Sequence, residues 1–475
     1  MKLRAFILIL ITMSLGIELK AQSSALDLSC QDFEKVFEFV RKEHLRFRVM
    51  AEQEYLELFK KAFRAIPDTM RNRGYLMMAA QFENEKEDLL KKAMAQSSLQ
   101  GFCRSLGSSL TQAMFLKAFV SELDPYSEFY LSDESQRKSS VVDGHFVGVG
   151  IATKNADPFL EITEVVDGGP SEGKLKVGDR ITHIDGYPVR GLRGEELKIR
   201  IRGALHTDVK FSVLRSSEPI SLDVVVNRDH VYQQSVSYRW MEKGVLQIRI
   251  HRFFVQTAGQ IRDILMKEKS KMKALVLDLR DNPGGLLQSA RDVVDLFVGS
   301  GVVVYLRGEY DDQLWALHGG AVLGTPMLVL INERTASAAE IVAGALQDYG
   351  RALLVGRQTF GKSCVQNIYE TQSAIGTAYP GGLKITTLWY YLPSGRSAKS
   401  IIPDFAVPLA ADETNTERIH MPYEMPSQIE VFPISKTKRA AKIKSLMGEI
   451  RPKLQASSES EKLSLELIKY LLAER

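Results

Sequence analysis

From residue 32 to residue 123 apolar side chains recur at spacings of three and four, as in Tyr55, Leu58, Phe59, Ala62, Phe63 and Ile66, which puts them on one face of a helix. The stripe reads as a packing face of an α-helical N-terminal region in which no motif carries chemistry. Between 146 and 231 the pattern shortens to β-type runs at 148–151, 160–165, 180–184 and 209–214, separated by Gly, Pro and Asp. A third stretch, 238–409, alternates strand with helix: 274–279 predicts a strand, a helix follows through Phe297, and 302–306 predicts the next strand. That order calls for an α/β core. After Asp412 the chain turns polar and helix-compatible, and Leu463, Leu467, Ile468, Leu471 and Leu472 return at helical spacing near its end.

Length and composition narrow the class. At 475 residues the chain has room for two to four domains, and 45% hydrophobic with 25% charged residues describes an ordinary globular protein. A net charge of +4 supplies no basic domain and argues against nucleic-acid binding. Residues 1–21 have the order of a signal peptide, with Lys2 and Arg4 ahead of the apolar run 5–16 and a stretch ending at Ala21. No later run approaches the roughly 18 apolar residues of a membrane span, so the expectation is an exported protein, periplasmic or otherwise extracytoplasmic, without a span in its mature form. Three cysteines cannot form a disulfide scaffold or a four-thiolate zinc site. An oxidising compartment would let Cys30 pair with Cys103, which the sequence leaves open. The resulting division is 1–21 leader, 22–136 helical region, 137–232 β-rich module, 233–410 α/β core and 411–475 charged, helix-compatible tail.

Within the module, Gly168-Gly169-Pro170-Ser171, Leu175 to Ile181 with the Gly178-Asp179 turn, and Ile184-Asp185-Gly186 follow one another in an order that resembles a PDZ domain. Such a module adds an extended peptide to a sheet edge and captures its terminal carboxylate with backbone N–H groups. The capturing loop would be Val147, Gly148, Val149, Gly150 and Ile151, where glycines permit close backbone approach.

The most informative stretch is 327–366. A buried strand at 327–331, a turn at 332–336 and a helix from 337 to 349 put Ser337 at a strand-to-helix junction, at the sheet edge where α/β proteins place ligands and near the positive end of a helix dipole. By position alone this serine is equally suited to capping the helix. A nucleophile needs a base, and the eight histidines are scattered with none near Ser337. Lys362 lies 25 residues further on, after a second strand that could return it to the serine. To serve, it must be neutral, which means lowering its pKa from about 10.4 to roughly 7 to 8 by burial at about 4 kcal/mol. The Asn282-Pro283-Gly284-Gly285 turn also joins a strand to a helix, and an amide of Gly284 or Gly285 with that of Ala338 would make a two-donor oxyanion hole.

Thr335 to Ile341, Phe360-Gly361-Lys362 and Val365-Gln366 together resemble the catalytic centre of the C-terminal processing, or tail-specific, proteases, serine endopeptidases with a Ser-Lys dyad. The resemblance extends through Leu123-Asp124-Pro125-Tyr126-Ser127, the PDZ-like module, Asp278 to Gly285, Tyr390 to Arg396 and Ile402-Pro403-Asp404, covering about 123–407. It departs at Ser363-Cys364, where the family has Gly-Thr, and at Ala339, where it commonly has serine. Cys364 has no adjacent histidine and reads as a buried hydrophobe.

The resemblance implies a crotonase-like, Clp-protease-type α/β core with an inserted PDZ domain. It implies Ser337 as nucleophile, Lys362 as base, Gln366 as the residue holding the lysine, Gly284, Gly285 and Ala338 as oxyanion donors, and Arg202 as a sensor in the PDZ module. Substrates would be proteins or peptides with free C-termini, an adaptor protein and a homo-oligomer are compatible, and no metal or organic cofactor is called for. A catalytically silent peptide-binding scaffold and a crotonase-like acyl-CoA enzyme are the rival readings.

Overall fold

The structure is a computed structural model that describes residues 28–48, 50–73, 75–131, 144–192, 197, 200–218, 220–317, 324–399, 401–407, 421–431 and 460–473. The expected leader at 1–21 and the tail positions 411–420 and 432–459 lie outside them. The chain divides into two compact units, one built from 1–136 and 236–475, the other from 137–235.

The larger unit begins with helices α1 (Cys30–Glu43), α2 (Glu52–Arg64), α3 (Ile66–Arg71), α4 (Leu76–Met94), α5 (Leu99–Ser105) and α6 (Ser109–Leu123). Serines at 29, 98 and 108 cap α1, α5 and α6 by accepting the amides of Asp32, Gly101 and Thr111. Of the sequence stripe, Leu58, Phe59, Ala62, Phe63 and Ile66 are buried. They meet Phe33, Phe37, Phe102, Phe115 and Phe119 in one core, with Phe59 and Phe102 rings 4.5 Å apart. Cys30 and Cys103 form a disulfide that ties α1 to α5 across 73 residues. The pairing left open by the sequence is thus made.

Strand β1 (Glu128–Tyr130) leaves this helical layer. The smaller unit contributes β2 (His145–Gly148), β3 (Ile151–Ala156), β4 (Phe159–Val165), β5 (Arg180–Ile184), β6 (Tyr187–Pro188), β7 (Asp208–Leu214), β8 (Leu222–Asn227) and β9 (Asp229–Tyr232). Its main sheet has the order β3-β4-β5-β7-β8 with β6 on β5, so β3 is an edge strand, and β2 pairs separately with β9. Ile162, Ile181, Ile184, Val209, Phe211 and Val213 fill its core.

The chain then forms β10 (Val236–Glu242), β11 (Val245–Ile250), α7 (Thr257–Glu268), β12 (Ala274–Asp278), α8 (Leu287–Asp295), β13 (Gly301–Arg307), β14 (Asp312–Ala316), β15 (Met327–Ile331), α9 (Ala338–Asp348), β16 (Leu353–Gly356), β17 (Cys364–Glu370), β18 (Gly382–Tyr391), β19 (Phe405–Ala406) and α10 (Ser460–Ala473). One sheet runs β10-β11-β12-β15-β16-β19, parallel from β11 onward, and a second runs β1-β18-β13-β14 with β17 also on β18. Every residue of β12 and β15 is buried, and apart from Asp278 at the end of β12 both are the continuous apolar run expected of a parallel sheet covered on both faces. Leu275, Leu277, Val329 and Ile331 point into the layer of α8 and α9, whereas Ala274, Val276, Leu328 and Leu330 point the other way against Leu463, Leu467 and Ile468 of α10.

The disulfide closes a long loop within the helical layer, and such a closure is worth about 4 kcal/mol in the chain-entropy account. Replacing both Cys30 and Cys103 with serine should lower the urea midpoint of the purified protein and make it insensitive to reductant. Equal midpoints for the oxidised, reduced and substituted proteins would show that the bridge adds nothing.

Candidate active site

Strands β12 and β15 lie side by side and parallel, with Asp278 opposite Leu330, so the turns leaving their carboxyl ends meet. Three bonds lock those turns together. Ala336 N–H donates to the Asn282 carbonyl at 2.9 Å, Asp281 N–H to Asn332 Oδ1 at 3.0 Å, and the Thr335 hydroxyl to the Leu279 carbonyl at 2.8 Å. Ser337 stands where the second turn enters α9, half-buried, at φ 56° and ψ −121°. A non-glycine residue with this φ is strained by roughly 1 to 3 kcal/mol and persists only where its surroundings over-determine it.

Glu340 supplies much of that determination. Its side chain is fully buried, and one oxygen accepts the Ser337 N–H at 2.7 Å and the Lys362 N–H at 3.0 Å. The other oxygen accepts the Thr359 hydroxyl at 2.6 Å and the Gly361 N–H at 2.7 Å. The Glu340 amide also donates to the Ser337 carbonyl at 2.8 Å, and Ser337 and Glu340 close a capping box at the start of the helix. Burial outweighs its four donors, which pull the other way, and leaves the Glu340 carboxyl raised to about 8. Protonation would set an O–H against one of these donors, so the fully bonded arrangement is that of the carboxylate. From β18, the Tyr390 hydroxyl donates to the Ser337 carbonyl at 3.3 Å and also to the Lys362 carbonyl. Ser337 and Lys362 are therefore joined through their backbones twice, by a carboxylate on one side and a phenol on the other.

The Lys362 side chain is largely buried and its nitrogen lies 4.7 Å from the centre of the Tyr126 ring. It makes no ion pair among the described residues. Burial holds its pKa below the ordinary value; Lys384 acts in the same sense, while Asp124 and Glu340 oppose it. Cys364 opposes it too, but only as a thiolate, and burial pushes that thiol up to about 11. The buried-hydrophobe reading of Cys364 fits its 2% exposure. Gln366, on β17, donates through its amide nitrogen to Cys364 Sγ at 3.2 Å and to Thr386 Oγ1 at 3.1 Å, with no bond to Lys362.

The two candidate oxyanion glycines differ. Gly284, at φ 99°, packs so closely that a β-carbon there would lie 2.8 Å from Ser337 Cβ and 3.0 Å from the Ala338 nitrogen, and its N–H is already given to Asn282 Oδ1 at 2.8 Å. Gly285 is exposed, and its amide and that of Ala338 donate to nothing among the described residues. In the smaller unit, Val147 and Gly148 end β2, Val149 is buried, Gly150 has φ 72°, and Ile151 opens the edge strand β3. The Arg202 guanidinium lies 4.7 Å from the centre of the Phe146 ring.

Sequence reasoning passed over Glu340, Tyr390, Tyr126 and His44. Glu340 carried a readable signal, since Ser337 and Glu340 have the spacing of a capping box. His44 had none, because its partner Asp124 is 80 residues away.

A model described as Peptidase family S41 matches residues 244–407, and one described as PDZ domain matches 136–214. A carboxy-terminal-processing protease of Bartonella bacilliformis is 34% identical over 303 residues, which are 62% of this chain and 68% of that protein. The chain belongs to peptidase family S41. The carboxy-terminal-processing proteases of this family are serine peptidases, and this chain is one of them. A probable CtpA-like serine protease of Staphylococcus aureus (strain COL) is 33% identical over 302 residues, 62% of this chain and 59% of its own length. Among solved structures, a photosystem II D1 C-terminal processing protease aligns with 76% of this chain and 96% of its own at 21% identity and a TM-score of 0.42. No helix among the described residues is long and apolar enough to cross a membrane.

Substituting Glu340 with alanine would leave three backbone N–H groups and a hydroxyl without their acceptor, each costing about 1 to 3 kcal/mol when buried. We expect a loss of at least about 3 kcal/mol in urea unfolding, on the scale of one or two orphaned donors. A loss within that of an ordinary surface substitution would show that Glu340 does not hold the junction.

Proposed function

We propose that the chain is an exported serine endopeptidase that cleaves proteins at or near their C-terminal ends, using Ser337 as nucleophile and Lys362 as general base. The observation that carries this reading is Lys362 itself: a buried lysine with no ion pair among the described residues, its pKa held down by desolvation, on a backbone lashed to that of a strained serine. A lysine kept for structure would be paired; one kept for catalysis must lose its proton near neutral pH.

In this mechanism Lys362 Nζ takes the Ser337 Oγ proton as the oxygen attacks the peptide carbonyl. The tetrahedral oxyanion receives the N–H groups of Gly285 and Ala338, with Gly284 providing the close approach between the two turns. Collapse expels the amine, which takes its proton from Lys362, and water then hydrolyses the acyl ester by the same base. The Gln366 amide oxygen is the atom available to accept from Lys362 and orient it, since its nitrogen is committed elsewhere.

The smaller unit is read as the tail receptor. A substrate strand would add to the free edge of β3, with its carboxylate at the amides of Val147, Gly148, Val149, Gly150 and Ile151 and with Arg202 as sensor. Export is supported by the leader-like order of residues 1–21 and by the Cys30–Cys103 disulfide, a bond that persists in oxidising compartments. The parallel core with its strand-end site is read as crotonase-like.

Single-turnover cleavage of a tailed protein substrate from about pH 6 to 9 tests the dyad. Wild-type turnover should rise with pH, because the base works neutral and its folded pKa lies below the ordinary lysine value. Ser337→Ala and Lys362→Arg should each lose roughly 10⁴-fold or more while circular dichroism shows them folded. An arginine enzyme working near the wild-type rate would remove Lys362 as the base.

A further inference from the structure

His44, which the sequence offered no reason to single out, is wholly buried in a polar cluster supplied by the N-terminal helical layer. Its Nδ1 accepts the Arg46 backbone N–H at 3.1 Å, which leaves Nε2 as the donor. Nε2 then donates to Asp124 Oδ2 at 2.7 Å. The same oxygen accepts the Ser127 hydroxyl at 2.8 Å, and Oδ1 accepts the N–H groups of Tyr126 at 2.7 Å and Ser127 at 2.9 Å. Burial alone would raise the Asp124 carboxyl; these donors, His44 foremost, outweigh it and hold the pKa below the ordinary value. Asp124 is therefore a buried anion held by His44 and by the turn that follows it.

The cluster leads to the lysine. Strand β1 pairs with β18, with Glu128 opposite Lys384, which seats the 124–127 turn beside Thr386. Ser127 Oγ accepts the Thr386 N–H at 3.0 Å and lies 3.4 Å from Thr386 Oγ1. Thr386 is thereby held on Ser127, whose one hydroxyl proton has both Asp124 Oδ2 and Thr386 Oγ1 within reach, and Thr386 Oγ1 in turn takes the Gln366 amide N–H at 3.1 Å. Tyr126, from the same turn, lays its ring beneath Lys362.

We propose that Asp124, backed by His44 and acting through Ser127 and Thr386, is a positioning residue that fixes the Gln366 amide with its oxygen turned toward Lys362. The proposal rests on the Ser-Lys reading and makes the helical layer part of the catalytic centre. His44, Asp124 and Ser127 all lie outside the two segments matched by the family descriptions. The groups facing Lys362 are Cys364 on β17, Asp124 and Tyr126 on the turn, Glu340 on α9, and Lys384 and Tyr390 on β18. Those facing Asp124 are His44, Tyr126 and Tyr423, beside the Arg46 whose guanidinium binds the Glu122 and Leu123 carbonyls.

Three substitutions in the full-length protein test it, assayed beside Lys362→Ala. Thr386→Val removes the central hydroxyl without changing shape and should lower kcat roughly 10- to 100-fold, the scale of outer partners that orient a site ligand, with KM unchanged. Thr386→Ser should restore the wild-type rate. Asp124→Asn should lower kcat and also move the rising limb of the pH profile to lower pH, because the anion that raises the lysine pKa is gone. Thr386→Val, which keeps that anion, should leave the limb in place. Wild-type kcat in Thr386→Val, or equal losses in the valine and serine variants, would overturn the proposal even if Asp124→Asn failed to fold. A folded Asp124→Asn with an unmoved limb would overturn it as well. Turnover by Lys362→Ala would instead sink the Ser-Lys reading on which it stands.

Discussion

The carboxylate of Glu340 is the constraint on which the site depends. It sits in a fully buried position and gathers the amides of Ser337, Gly361 and Lys362 with the hydroxyl of Thr359. Burying a carboxylate is costly unless it is fully hydrogen-bonded, and here those bonds come from the two segments that carry the proposed nucleophile and the proposed base. The desolvation that would be a defect elsewhere thus ties the 332–337 turn to the 357–363 loop, since moving either away would leave the buried carboxylate short of donors. The positive φ of Ser337 is held by the same bonds.

A second consequence concerns which parts of the chain make the site. The helical layer and the strand-helix core belong to one compact unit, although the whole of the smaller unit, residues 137–235, separates them in sequence. Strand β1 joins the layers by pairing with β18, which also carries Tyr390 and Thr386 and pairs with β17, where Gln366 sits opposite Thr386. The desolvation of Lys362 and the polar chain behind Gln366 both depend on that pairing, since Tyr126 and Ser127 come immediately before β1.

Much of this was legible because it is local. The strand at 327–331, the helix after Ser337 and the next strand follow from hydrophobic runs and turn residues, and their boundaries in the structure shift by only a residue or so. The apolar stripe at 58–66 is buried for the same reason, and α10 shows that Leu463, Leu467 and Ile468 cover the sheet face opposite α9. What stayed hidden depends on distant pairing. Cys30 and Cys103 meet through helix packing, His44 and Asp124 through the fold of the whole helical layer, and Thr386 reaches Ser127 across 259 residues. The difference between Gly284 and Gly285 turns on one side-chain bond from Asn282, which spacing cannot express.

The central claim is that a neutral, buried Lys362 activates Ser337. Reaction with a fluorophosphonate, followed by peptide mapping across a pH series, addresses it without needing to know the natural substrate. The account predicts a single adduct on Ser337, forming faster as pH rises through the depressed lysine pKa and not forming when Lys362 is replaced by alanine. An adduct on another residue, or labelling of Ser337 at an undiminished rate in the alanine variant, would contradict it.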